Sequence, residues 1–277
     1  MDDSPLLDVD DIAKYQSLIG ALQWAITLGR FDIATAVMTM SSFRVAPRQG
    51  HLERVKRICG YLTKFQSAAI WVRTEVPDYS DLPYKEYSWE RTVYGKVREV
   101  IPDDLPPGKG KPVVTSTYKD ANLLHDLLTG KAVTGVLHFL NQTPIEWFTK
   151  KQATVETATY GSEFSAARTA MQQIAALRMS LRYLGANLEG SSYLFGDNQS
   201  VVTSGSVPHS RLSKRHQALS FHYTRESIAS GMVRFHHIPG DINPADVLSK
   251  HWAHHNVYPM LRPLLFYKGD TLDLVEA

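Results

Sequence analysis

Apolar residues recur at helical spacing through the first quarter of the chain. YQSLIGALQWAITLG places Leu18, Ile19, Leu22 and Ile26 on one side of a helix. FDIATAVMTMSSFRV continues the pattern. In HLERVKRICGYLTKF, Leu52, Val55, Ile58, Cys59 and Leu62 make one apolar stripe, with Glu53, Arg54, Lys56 and Arg57 off it. Residues 12–75 are therefore expected to form a small, mostly helical unit. Residues 76–112 are rich in Pro, Gly, Tyr and charge and lose the periodicity; they read as a linker with one short strand within RTVYGKVREVI. From residue 113 strand patterns take over. PVVTSTY is a strand, AVTGVLHFLN and TPIEWFT a hairpin pair turning at 141–144, and residues 157–184 a long helix with Ala166, Ala170, Ile174, Leu177, Leu181 and Leu184 on its apolar side. SSYLFG is a strand followed by a short helix from Asn198. KRHQALSFHYTRESIASG is a helix stopped by Gly231, MVRFHHI a strand, and NPADVLSKHW a helix capped by Asn243 with Pro244 at its first position. Three strands, a helix, then strand–helix–strand–helix predict an α/β domain over 113–252, a mixed sheet with helices on its faces, leaving 253–277 as a C-terminal tail.

Composition narrows the function classes. The 277 residues suffice for one large or two modest domains. Thirty Lys and Arg against 28 Asp and Glu give a net charge of +2, so any nucleic-acid contact must come from local basic clusters. The single cysteine, Cys59, excludes an internal disulfide framework and a cysteine-based zinc site. The acidic opening MDDSPLLDVDD does not read as a signal peptide, and no apolar run approaches membrane-spanning length, so a soluble, intracellular protein is expected. GKGK lacks the spacing and the hydroxyl residue of a phosphate-binding loop.

Four acids occupy informative places. Asp120 follows the first strand in TYKDAN, Glu163 lies early in the long helix, Asp197 at the tip of the fourth strand in YLFGDNQSVV, and Asp246 in the first turn of the last helix. Strand tips and helix ends packed on one sheet can bring such positions together. Four carboxylates gathered in one place repel one another and call for divalent cations between them. An all-oxygen ligand set suits magnesium or manganese, and two such ions about 4 Å apart stabilise the attacking and leaving oxygens of an in-line phosphoryl displacement. Each acid also has an ordinary reading, as a helix cap or a partner of the helix dipole.

The ordered set of motifs resembles the C-terminal part of a copia-type retrotransposon polyprotein: the end of the reverse transcriptase followed by its RNase H domain. The motifs are YQSLIGALQWAITLGRFDIATAV, HLERVKRICGYL, TYKDAN, WFTKKQATVETATYGSEFSAA, FGDNQSVV, KRHQALSFHYTRE and HIPGDINPADVLSK, in family order from Tyr15 to Trp252. The resemblance implies an RNase H-like mixed five-stranded sheet, preceded by a helical polymerase remnant. It implies that Asp120, Glu163, Asp197 and Asp246 form the catalytic and metal-binding set, holding two magnesium ions for which manganese can substitute. It further implies endonucleolytic cleavage of the RNA strand of RNA–DNA hybrids and an upstream polymerase domain as partner. The implied location is cytoplasmic, including virus-like particles, with access to the nucleus. Two family acids are replaced here, by Asn122 and Gly161, and the PGDINPAD loop has no histidine; His236 and His237, in the strand before it, read as structural. The only near match to a polymerase signature is DVDD at 8–11, which reads as an acidic lead into the first helix, so no polymerase active site is expected.

For substrate contacts, Asn198 and Gln199 can serve 2′-hydroxyls, and Lys150 with Lys151 and Lys214 with Arg215 can hold phosphates. The ordinary alternative is a solvated charged face. His251, His254 and His255 share helical spacing but lack further ligands nearby. Two rival functions stay open: a decayed or co-opted module that binds nucleic acid without cutting, and a structural module in which the acids only cap helices.

Overall fold

The structure is a computed structural model describing residues 2–212 and 214–267. Its elements run, in chain order, α1 (Val9–Thr27), α2 (Ala34–Ser41), α3 (Gln49–Lys64), β1 (Ala68–Ile70), β2 (Lys109–Val113), β3 (Thr115–Asp126), β4 (Lys131–Leu140) and β5 (Thr143–Lys151). They continue with α4 (Thr159–Tyr183), β6 (Ala186–Leu188), β7 (Ser192–Gly196), α5 (Gln199–Ser206), α6 (Ala218–Ala229), β8 (Val233–His237), α7 (His254–Leu261) and β9 (Leu265–Tyr267). Residues up to Trp71 and those from Lys250 onward make a smaller unit, and Val72–Ser249 make a larger one.

In the smaller unit the apolar stripes of α1, α2 and α3 meet around Tyr15, Ile19, Val37 and Val55. The Tyr15 hydroxyl keeps its hydrogen bond inside this core by donating to the Met40 carbonyl at 2.7 Å. Asp8 of the DVDD stretch caps α1, its carboxylate accepting from the Asp11 amide at 2.9 Å. The chain closes this unit through β1, which pairs antiparallel with β9. Part of the stretch expected to be a tail is thus α7 and β9; residues 268–277 lie outside the described ones. His251 precedes α7 and sits 3.0 Å from the Thr39 hydroxyl, while His254 faces the Tyr61 hydroxyl at 3.3 Å.

The larger unit holds the expected mixed five-stranded sheet, in the order β5–β4–β3–β7–β8. β5, β4 and β3 run antiparallel; β3, β7 and β8 run parallel. Eight consecutive residues of β4, from Ala132 to Phe139, are buried, as a central strand covered on both faces requires. Against one face pack α4 and α6, with Phe164, Met171, Leu194, Phe221 and Phe235 in the core. The other face carries an aromatic layer in which Tyr118 stacks on Phe195 at 4.8 Å and Tyr79 meets Tyr193 at 4.5 Å.

Three sequence expectations change. The strand expected in RTVYGKVREVI is absent; β2 forms later and pairs in parallel with β6. Residues 76–112 also contribute to the larger unit's interior: Trp89 is buried in its core, and Tyr94 and Val97 pack beside it. The last helix shrinks to a single 3₁₀ turn, Pro244–Leu248, still capped by Asn243. That turn lies so close to β4 that a Cβ at Gly135 would be 2.8 Å from the Ala245 carbonyl, which only glycine tolerates.

Candidate metal centre

β3 and β7 are neighbours, and their pairing ends at Tyr118 and Phe195. Beyond that point the two strands part; Asp120, still within β3 and paired with Gly135 of β4, and Asp197, just past the end of β7, meet at the opening. Glu163 arrives from the second turn of α4. Ligand oxygens of Asp120, Glu163 and Asp197 all lie within 4.8 Å of one another. Asp120 and Glu163 are buried and Asp197 is half-buried. Burial raises the Glu163 carboxyl to about 7; the Lys119 ammonium opposes the rise, and the charges of Asp120 and Asp197 add to it. One oxygen of Asp197, Oδ1, is buried with no hydrogen-bond partner among the described residues. An orphaned carboxylate oxygen beside two further carboxylates, with no sulfur ligand, is the donor set of a hard divalent cation.

Asp246 is buried, is not one of the three whose ligand oxygens all lie within 4.8 Å of one another, and sits in a turn tied to the site. Asn243 donates to the Lys119 carbonyl at 3.0 Å. The Ser249 hydroxyl donates to Asp120 Oδ2, and its oxygen is 3.2 Å from the Asp246 carbonyl. The 243–249 segment therefore orients Asp120 through Ser249, a role that sequence reading missed.

It also missed Lys119. As the strand neighbour of Asp120 it points to the opposite face, and a charge beside an acid reads as solvated. Instead Lys119 is fully buried and its ammonium is bonded to Glu163 Oε2. The one signal in the sequence is Gly196: a Cβ there would collide with Lys119 Cε and lie 3.0 Å from Nζ.

The expected substrate residues divide. Asn198 caps α5, its side chain accepting from the Val201 amide at 3.2 Å, while its amide nitrogen stays available. Gln199 is exposed and donates to the Thr203 hydroxyl. Lys150 is exposed; Lys151 is paired with Asp126 at 2.8 Å. Both line an open groove together with Lys131 and Arg168, two basic residues not singled out from the sequence. Lys214 reaches the Thr157 hydroxyl at 3.2 Å, and Arg215 is exposed. No helix among the described residues is long and apolar enough to cross a membrane.

No family model matches the chain. The retrovirus-related Pol polyprotein from transposon RE1 of Arabidopsis thaliana is 24% identical over 242 residues, covering 87% of this chain and 14% of its own length. That from transposon TNT 1-94 of Nicotiana tabacum is 27% identical over 238 residues, covering 85% of this chain and 15% of its own length. The chain thus spans about a seventh of these curated relatives. Among solved structures it is similar to the N-terminal RNase H domain of a Mycobacterium tuberculosis protein, at 14% identity and a TM-score of 0.39, over 50% of this chain and 91% of that one. LC11-RNase H1, solved in complex with an RNA/DNA hybrid, is 16% identical with a TM-score of 0.39, over 49% and 93%. Over most of its length, then, the chain resembles one segment of the Pol polyproteins of copia-type retrotransposons.

Proposed function

We propose that this chain hydrolyses the RNA strand of RNA–DNA hybrids endonucleolytically, leaving 3′-hydroxyl and 5′-phosphate ends, as the RNase H segment of a retrotransposon polyprotein with a polymerase domain upstream. The observation that carries the reading is the meeting of Asp120, Glu163 and Asp197 at the parting of β3 and β7, with a buried Asp197 oxygen lacking a donor. Asp120 and Asp197 would hold magnesium or manganese. A bound divalent cation supplies Lewis acidity and neutralises charge on the scissile phosphate. The protein's own contribution is positional. Ser249 fixes the Asp120 carboxylate, and the capped start of α5 fixes the backbone that follows Asp197. Asn198 and Gln199, next along the chain, would meet the 2′-hydroxyls that distinguish RNA from DNA. Lys150 and Arg215, both exposed, would hold phosphates on either side.

One observation favours the rival reading of a binding module that does not cut. Glu163 is already engaged by Lys119, which blocks the expected two-ion arrangement as it stands. Cleavage of an end-labelled hybrid in magnesium, by the parent and by Asp197→Asn, separates the readings. We expect the parent to cut and Asp197→Asn to lose activity by orders of magnitude while still binding hybrid, because the phosphate contacts lie elsewhere. A parent that binds hybrid without cutting it in either metal overturns the enzymatic reading.

A further inference from the structure

We propose that Lys119 is a resident cation of the carboxylate centre. Its ammonium takes the place that a second divalent ion would fill beside Glu163, so the free protein accepts one divalent cation, on Asp120 and Asp197, rather than two. This rests on reading the three carboxylates as a metal site.

Three features carry it. Lys119 has no exposed surface, and its ammonium is paired with Glu163, whose side chain is only 3% exposed. A buried lysine holding a buried glutamate is not a surface ion pair that a competing ion can peel away; freeing the carboxylate would strand the ammonium. Second, the stem of Lys119 has a built channel. It crosses β7 at Gly196, where a Cβ would strike its Cε, and Nζ lies 5.9 Å from the centre of the Phe235 ring. Phe235 belongs to the apolar core beneath α4 and α6, so an ammonium pushed off Glu163 would move into hydrocarbon rather than solvent. Third, the charges balance. With all three converging carboxylates ionised there are three negative charges, one ammonium leaves two, and a single divalent ion cancels them. Without Lys119 the same pocket would hold one uncompensated charge after the first ion bound, and would attract a second.

The experiment is a Mn²⁺ titration of the full chain, with calorimetric stoichiometry and electron paramagnetic resonance, on the parent and on Lys119→Met, which keeps the stem and removes the charge. The parent is expected to bind one ion per chain with the spectrum of an isolated Mn²⁺. Lys119→Met is expected either to bind a second ion, with an exchange-coupled spectrum, or to bind its first at least tenfold more tightly. A parent that binds two coupled ions, or a folded Lys119→Met that matches the parent in both stoichiometry and affinity, overturns the proposal while leaving the metal site standing. Failure of both proteins to bind Mn²⁺ overturns the metal-site reading and this proposal with it. Should Lys119→Met not fold, crystals of the parent soaked in Mn²⁺ decide: one anomalous peak against Asp120 and Asp197 supports the proposal, and a second peak against Glu163 overturns it.

Discussion

Replacing Glu99 with glutamine should destabilise the larger unit far more than a change in a solvated linker would. Glu99 accepts from Arg178 Nε at 2.8 Å and Nη2 at 2.7 Å, and from Arg182 Nη1 at 2.7 Å and Nη2 at 2.9 Å. Arg178 is almost fully buried and also donates to the Ser192 hydroxyl and the Gly190 carbonyl, each at 3.0 Å. Burial alone would raise the Glu99 carboxyl, yet the hydrogen bonds and charges of the two arginines bring it from 4.5 down to about 2. At about 1.4 kcal/mol per pH unit, that gap corresponds to about 3 kcal/mol of stability at neutral pH. A similar figure follows from stranding a buried arginine, which costs about 3–5 kcal/mol when its partner is removed. We therefore expect Glu99→Gln to lose about 2–3 kcal/mol at pH 7, against less than about 0.5 kcal/mol for an ordinary surface change. The sign in pH follows from the depressed carboxyl: the contribution is fully present above about 4.5 and is lost as pH falls toward 2. The gap between parent and variant should close over that window. Urea unfolding read by hydrogen exchange of α4 peptides, at a series of pH values, isolates the larger unit. A variant within about 0.5 kcal/mol of the parent at pH 7, or a difference flat down to pH 3, would refute the reasoning.

Gly196→Ala should destabilise the larger unit by about 1–3 kcal/mol, because the new methyl meets a lysine that has nowhere to move. In a double-mutant cycle Lys119→Ala should relieve part of that loss, and strictly additive effects would show that the two residues do not share the space. Lys214→Ala with Arg215→Ala should weaken hybrid binding and flatten its salt dependence by up to about two contacts' worth of slope, read by fluorescence anisotropy across salt concentrations. An unchanged slope would remove these residues from the interface.

How far the sequence could be read depended on what fixes each feature. β3, β4, β5, β7, β8 and α4 were legible because each buries a face, and burial writes a period of two or near four into the chain. Asp197 was legible because it directly follows a strand and Glu163 because it falls near a helix start, whereas Asp120, expected just after its strand, lies inside β3, which runs on to Asp126. The segment 76–112 was not. Glu99 is held by arginines 79 and 83 residues further along the chain and Trp89 by Arg225, 136 residues further, and no period records contacts of that kind. The 244–248 turn was read as a full helix because Asn243 and Pro244 give a start signal, while its early stop comes from close approach to Gly135 in another strand. Lys119 stayed hidden because strand alternation says which face a side chain takes, not whether a neighbouring strand has left room for it there.

The pairing of β1 with β9 gives the smaller unit an order of assembly. Its helices are made first, but the strand that closes it comes from residues 265–267, after every residue of the larger unit has been synthesised. On a ribosome the later-made larger unit has all its strands and helices available while the earlier-made one still waits for its last. A released chain ending shortly after residue 249 would therefore carry every strand of the five-stranded sheet and all three converging carboxylates, with β1 left unpaired. The two units should become protease-resistant in the reverse of their order in the chain.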